Sequence, residues 1–153
     1  MFIKLLSMMM VMSIFNARKL DDGNRNFFHG KPALGFQYDS GAMWACVCRY
    51  TPHGFVPGKV NNRGEAYYSW GGTDYRCADY TVISGTLIFH TEPLPSDCET
   101  RGFDYDDGPK FYNAIITSND GMVPGRANAD LTQAWYPTRH HEHTVHAGFY
   151  IIC

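Results

Sequence analysis

The apolar residues of this chain fall into short runs that are separated by Gly, Pro, Asp and Asn. No segment shows a 3.6-residue apolar period over three turns, so the pattern does not predict long helices. The runs predict strands at Ala42–Tyr50, Ala66–Trp70, Tyr80–His90, Lys110–Thr117, Gln133–Tyr136 and Val145–Cys153. Since each run is short and bounded by turn residues, we expect an all-β fold of antiparallel strands.

The composition supports a folded β protein. Hydrophobic residues make up 44% of the 153 residues and charged residues 18%, which excludes disorder as the main state. The aromatic share of 15%, with fifteen Gly and eight Pro, favours many short strands. The net charge of −2 argues against a nucleic-acid partner.

The chain contains an internal repeat at an offset of 67 residues. Gly35–Lys59 and Gly102–Arg126 share nine of 25 positions, where ordinary composition would give about one or two. The two copies extend over residues 26–95 and 96–153. Because a module of about 60 residues buries little surface alone, we expect two pseudo-twofold-related antiparallel modules that share one core.

Each copy has the same predicted order of elements. A turn (Asp39-Ser40-Gly41 or Asp106-Asp107-Gly108) leads into a strand, and a V-P-G turn follows it. A second strand, a polar turn and a closing strand complete the copy. Trp44 lies inside the first apolar strand and is therefore expected in the core.

The N-terminal segment predicts a signal peptide over residues 1–17. Lys4 precedes an apolar run of eleven residues, Leu5–Phe15, which is too short for the roughly 20 residues of a membrane span. We therefore expect a secreted protein without membrane insertion. The alternative is a cytoplasmic protein in which this run is a buried strand or helix.

The cysteines leave two alternatives. Cys46, Cys48, Cys77, Cys98 and Cys153 form no C-x-x-C pair, so neither a zinc ribbon nor a thioredoxin-like site is expected. A secreted chain could form two disulfides and keep one free thiol, with partners that the sequence does not assign. A cytoplasmic chain would carry five buried thiols.

The repeated motifs resemble the DM-nine repeat family, which includes invertebrate mannose-binding lectins and natterin-like proteins. The first copy contributes Gly35-Phe36-Gln37, Pro57-Gly58-Lys59-Val60, Gly72-Thr73-Asp74 and Tyr80-Thr81-Val82-Ile83. The second contributes Gly102-Phe103-Asp104, Pro124-Gly125-Arg126, His141-Glu142 and Phe149-Tyr150-Ile151-Ile152. The resemblance covers nearly all of the chain after Asn26.

The resemblance implies two sugar sites, each with an acid, a basic residue and a second acid. Carried over by position, the sugar-binding residues are Gln37, Lys59 and Asp74 in the first copy, and Asp104, Arg126 and Glu142 in the second. The first set departs from the family pattern by an amide and a shorter acid, and the second by an arginine in place of lysine. Trp70 and Trp135 are candidates for covering the apolar face of a sugar ring.

These residue types suit carbohydrate chemistry. A carboxylate or amide accepts a hydrogen bond from one hydroxyl, and a basic side chain donates to its neighbour. The resemblance implies a calcium-independent, mannose-type lectin that needs no cofactor and could form a homodimer. The alternative is a non-catalytic protein-interaction module whose sugar sites are degenerate at Gln37, Asp74 and Arg126.

Other chemistry is less well supported by the sequence. His140, His141 and His143, with His146, could hold zinc, but they lack the H-E-x-x-H spacing and more simply form a polar loop. No G-x-S-x-G or phosphate-binding glycine motif is present, so we expect no enzyme activity and no metal site.

Overall fold

The structure, a computed structural model, describes residues 30–105 and 108–153, and every regular element within them is a β-strand. The strands are β1 (Gly35–Gln37), β2 (Gly41–Thr51), β3 (Gly54–Val60), β4 (Ala66–Trp70), β5 (Thr73–Cys77), β6 (Tyr80–Ile83), β7 (Leu87–Phe89), β8 (Gly102–Phe103), β9 (Lys110–Ser118), β10 (Gly121–Asn128), β11 (Ala134–Thr138), β12 (His141–Val145) and β13 (Phe149–Ile152). The all-β prediction is confirmed. The predicted signal peptide and the Asp106-Asp107 turn lie outside the described residues. Across the described ranges, no helix has the length and apolar character to cross a membrane.

The two repeats adopt the same strand order and pair with each other symmetrically. Strands β1–β6 correspond to β8–β13. β1 lies between β2 of its own repeat and β10 of the other, while β8 lies between β9 and β3. Asn113 and Cys46 occupy equivalent positions, and the Asn113 side-chain amide donates to the Cys46 carbonyl oxygen (2.9 Å). The pseudo-twofold axis therefore passes close to this contact, and the predicted arrangement is confirmed.

Eight strands close into a hydrogen-bonded ring. Its order is β1, β2, β3, β4, β5, β12, β11 and β10, which pairs again with β1. β5 and β12 meet at the pair Thr73–His141. The ring therefore brings the β4–β5 hairpin of the first repeat against the β11–β12 hairpin of the second.

The core contains a cluster to which both repeats contribute. Phe36 and Ile83 of the first repeat pack with Ile115, Met122 and Ile152 of the second, and all five are buried. Burial of this apolar surface ties the two halves into one core, as expected.

Trp44 lies in a second cluster, on the first-repeat side of the molecule. It is fully buried, and its indole N–H donates to the Lys31 carbonyl oxygen (2.8 Å). The expectation that Trp44 faces the core is confirmed.

The predicted V-P-G turns are wrong, because Pro57 and Pro124 lie inside β3 and β10. On one edge, β3 pairs with β8 at Phe55 and with β4 at Lys59, so its partner changes around Pro57. Proline has no N–H to leave unpaired at this switch. A side chain on Gly58 would meet the Tyr67 carbonyl oxygen, so glycine is required for the close approach of β4.

The segments predicted as polar turns contain strands β5 and β12. Their exposed, polar sequences give no clear alternation, but two-residue turns fold them back onto β4 and β11. The two closing runs are also shorter than predicted. Residues 84–86 separate β6 from β7, and residues 146–148 separate β12 from β13.

The cysteines form two disulfides and one free thiol. Cys48 of β2 is bonded to Cys77 of β5, and Cys98 is bonded to Cys153, which directly follows β13. Cys46 is buried and unpaired. The first bond links the hairpin β4–β5 to the core strand β2.

Candidate functional site

Two hairpin turns face each other across the closure of the ring. The β4–β5 turn is Gly71-Gly72 and the β11–β12 turn is Arg139-His140. All four residues have positive φ, with values of 60° and 92° for the glycines and 51° and 70° for the other two. Such two-residue hairpins favour glycine at both positions. The second repeat therefore places two basic side chains where the first repeat has none.

The candidate acids are held by the turns of the opposite repeats. Asp74 Oδ2 accepts a hydrogen bond from the backbone N–H of His140 (3.3 Å). In the equivalent contact, Glu142 Oε1 accepts from the backbone N–H of Gly72 (3.1 Å). Each acid is thereby fixed by a backbone donor that belongs to the other half of the molecule.

Lys59, with Gln37 and Asp74, forms what we call the Lys59 site. Lys59 lies on β3 and is 6% exposed. Its ammonium donates to Gln37 Oε1 (2.7 Å), and Gln37 Nε2 donates to Asp39 Oδ1 (2.8 Å). Burial lowers the pKa of Lys59 to about 8, although the negative charges of Asp39, Asp74 and Asp120 act in the opposite direction.

A charged rim surrounds the Lys59 site. Arg139 lies 3.5 Å from Asp120 Oδ1 and 3.8 Å from Asp39 Oδ2. The pKa of Asp39 is lowered, chiefly by the hydroxyl that Ser40 donates. His140 Nδ1 lies 3.8 Å from Asp74 Oδ1. Arg139 and His140 therefore come from the second repeat, while Lys59, on which the charges of these acids act, comes from the first.

Arg126 and Glu142 form the centre of what we call the Arg126 site. Arg126 Nη2 donates to Glu142 Oε2 (2.9 Å), and both side chains are 7% exposed. Arg126 Nε also donates to the Ser69 carbonyl oxygen, at 3.4 Å. Burial lowers the pKa of Arg126, and the charge of Glu142 and its hydrogen bond oppose that shift. The hydrogen-bond partner of the buried cation is therefore a carboxylate at the Arg126 site and an amide at the Lys59 site.

Three aromatic rings surround the Arg126 guanidinium. Its central carbon lies 4.2 Å from the Trp135 ring centre, 4.4 Å from Trp70 and 4.8 Å from Phe111. Such cation–π contacts stabilise a partly desolvated cation. Trp70 belongs to the first repeat, so both candidate tryptophans lie at one site. Phe111 was not predicted, since its position in an apolar strand is typical of the core.

Asp104 is the candidate that the structure does not bring to its expected partners. Its backbone N–H donates to the Pro109 carbonyl oxygen (3.1 Å). The hydrogen bonds and ion pairs of Arg126 with described residues include Glu142 and Ser69 but not Asp104. The Arg126 site therefore consists of the pair Arg126 and Glu142. At the Lys59 site, Lys59 is hydrogen-bonded to Gln37, and the charge of Asp74 acts on Lys59.

Each site also has a wall from the opposite repeat, which the sequence did not predict. At the Lys59 site, the Tyr136 hydroxyl donates to Asp120 Oδ2 (3.2 Å), and His143 stacks on Tyr136 with ring centres 4.9 Å apart. Thr138 Oγ1 lies 2.7 Å from His143 Nε2. The wall of the Lys59 site is therefore largely polar.

The wall of the Arg126 site consists of rings. Tyr75 stacks on Tyr68 at 5.3 Å, and His53 Nδ1 lies 3.1 Å from the Tyr68 hydroxyl. His53 also stacks on Trp70. These residues are equivalent by position to those of the other wall. Comparing the two repeats position by position is the sequence signal that could have identified them.

The histidines of the β11–β12 hairpin each contact a different partner. His143 approaches Thr138, His140 approaches Asp74, and His141 pairs with Thr73 in the ladder. Within residues 30–105 and 108–153, no group of three or more His, Cys, Asp or Glu side chains is arranged to hold a metal ion.

A scan against protein-family models and a search of curated proteins give no match to this chain. Neither comparison therefore indicates a function for this chain.

Proposed function

We propose that this chain is a secreted, calcium-independent carbohydrate-binding protein of the mannose type, with one sugar site around Lys59 and one around Arg126. The observation that carries the proposal is the Lys59 ammonium. It is almost completely buried, yet among the described residues it donates one hydrogen bond, to Gln37. An ammonium has three donor hydrogens, so hydroxyl oxygens of a ligand would satisfy the others.

The neighbours of Lys59 suit adjacent sugar hydroxyls. The Gln37 amide oxygen and the Asp74 carboxylate accept hydrogen bonds, and Lys59 donates them. Asp74 is held from behind by the His140 backbone N–H, which fixes its orientation. Donors and acceptors that are fixed before binding reduce the entropic cost of recognition.

The Arg126 site offers the same chemistry with a planar cation. Glu142 occupies part of the guanidinium edge at Nη2, and the rings of Trp70 and Trp135 hold the guanidinium in place. Two sites on one rigid body would provide avidity for glycan-coated surfaces. The two disulfides suit an oxidising, extracellular compartment.

A glycan array, run with and without EDTA, tests the proposal. We expect an EDTA-insensitive mannose signal that falls in Lys59→Ala and in Arg126→Ala and is lost in the double variant. Arg49→Ala is the control, because Arg49 pairs with Asp79 at the surface. Retained binding in a folded double variant would contradict the site assignment, and a signal that EDTA removes would contradict calcium independence.

A protein-interaction module is the second candidate. The observation that favours it is the mutual neutralisation of Arg126 and Glu142, which structural ion pairs also show. This alternative predicts a folded protein that gives no signal on any glycan. A partner whose binding is unchanged in the double variant would then support it.

A further inference from the structure

The walls of the two sites differ at three equivalent positions. At each position the Arg126 site carries an aromatic ring. The equivalent side chain at the Lys59 site is smaller or more polar. The pairs are Asp120 and His53, Thr138 and Trp70, and His143 and Tyr75. Two sites with the same backbone frame therefore present different surfaces to a ligand.

The rings at the Arg126 site form a continuous row from the buried cation to the surface. Trp70 lies over the guanidinium of Arg126. His53 stacks on Trp70 with ring centres 5.3 Å apart and planes 20° apart, and Tyr75 lies 5.1 Å from His53. Tyr75 is 39% exposed, so the row ends at solvent.

The corresponding path at the Lys59 site is occupied by polar contacts. The Asp120 carboxylate accepts a hydrogen bond from Tyr136 and lies near Arg139, and Thr138 is bonded to His143. These groups offer hydrogen bonds to one sugar residue but no extended apolar face. A pyranose has an apolar C–H face that packs on aromatic rings, so a row of rings suits a second residue.

We infer that the Arg126 site binds a neutral oligosaccharide of at least two pyranose residues, the second of which packs against His53 and Tyr75. The Lys59 site binds a single residue. The ligand is neutral because Glu142 already balances the charge of Arg126. This inference rests on the proposed function and gives the two sites different ligand classes.

Site-isolated variants test the inference. Lys59→Ala leaves the Arg126 site, and Arg126→Ala leaves the Lys59 site. The dissociation constants for methyl α-mannoside and α-mannobiose are measured on each variant by calorimetry or ligand-observed NMR. In Lys59→Ala we expect α-mannobiose to bind about two- to tenfold more tightly than methyl α-mannoside, the range that an aromatic contact supplies. The quantity compared below is this ratio of the two dissociation constants. In Arg126→Ala the ratio should be close to one.

Tyr75→Ala in the Lys59→Ala background should reduce this ratio to about one. Tyr38→Ala is the matched control, since Tyr38 is an exposed tyrosine whose ring contacts Phe36 instead. If Tyr75→Ala does not fold, Tyr75→Leu keeps an apolar side chain against Tyr68 without a flat ring, and the same reduction is expected.

Equal ratios at the two sites, or a ratio that Tyr75→Ala and Tyr75→Leu leave unchanged, would overturn the inference. Failure of every folded variant and of the parent chain to bind either sugar would instead overturn the proposed function. The two failures are therefore distinguishable in one set of titrations.

Discussion

Glu142 and Gly72 are joined by two hydrogen bonds across the two repeats. The Glu142 backbone N–H donates to the Gly72 carbonyl oxygen (3.0 Å), and the Gly72 N–H donates to Glu142 Oε1 (3.1 Å). The other carboxylate oxygen accepts from Arg126. One acidic side chain therefore fastens the closure of the ring and compensates a buried cation.

Removing the Glu142 carboxylate should strongly destabilise the protein. Glu142→Ala leaves the Arg126 guanidinium buried without its counter-charge, which costs about 3–5 kcal/mol in comparable buried pairs. The free energy of unfolding in urea measures this loss. Asp79→Ala, which breaks the exposed pair with Arg49, should cost less than about 1 kcal/mol. Equal losses in the two variants would contradict the role of burial.

The ammonium of Lys59 should titrate near pH 8, far below an ordinary lysine. Between about pH 8 and the unfolded-state pKa of about 10.5, the unfolded chain binds more protons, so the free energy of unfolding should rise with pH across that window. NMR titration of the lysine side chains measures the pKa, and the signal that titrates near pH 8 should be missing in Lys59→Met. Lysines that all titrate above pH 10 would contradict the burial argument.

The Cys46 thiol should resist alkylation in the folded protein. It is fully buried, and desolvation raises its pKa, so little thiolate is available to react. Denaturation without a reductant should then expose one thiol per chain to iodoacetamide, and denaturation with a reductant should expose five. Mass spectrometry counts the labels. Three or more labels without a reductant would show that a disulfide is absent.

Substitution in the two hairpin turns should change the free energy of unfolding by different amounts. Gly72→Ala puts a side chain at φ 92° and should cost about 1 kcal/mol, although the space around it is open. His140→Gly relieves a positive φ of 70° and gives up a weak contact of an exposed side chain, so its free energy of unfolding should change by less than about 1 kcal/mol. Urea unfolding measures both. If His140→Gly lowered the free energy of unfolding as much as Gly72→Ala does, the argument from positive φ would be contradicted.

Much of the fold could be predicted because the repeat is explicit in the sequence. The matching glycines and aromatic residues predicted two modules with a shared core, and β4 begins and ends as predicted. The V-P-G motif was misread because proline and glycine usually indicate turns. Here they mark the place where a strand changes partners, which depends on pairing with the other repeat and is not visible locally.

The candidate sites could be predicted only in part, for the same reason. Lys59 and Gln37 belong to the same repeat, and the motif positions within that repeat predicted them at one site. The contacts of Arg126 with Trp70, and of Asp74 with His140, join residues that are distant in the chain. These contacts depend on how the ring closes, so no local pattern encodes them.

The exchange of β1 and β8 between the repeats also bears on the ancestry of the chain. Each of these strands completes the sheet of the opposite half, so a half-length ancestor of the same pattern would satisfy its strand edges by pairing with a second copy. The two repeats, over residues 30–105 and 108–153, are in that sense arranged like a dimer joined into one polypeptide. Because both halves lie in one polypeptide, equivalent positions can carry different residues, which identical subunits cannot do. Lys59 and Arg126, and Gly72 and His140, are such positions.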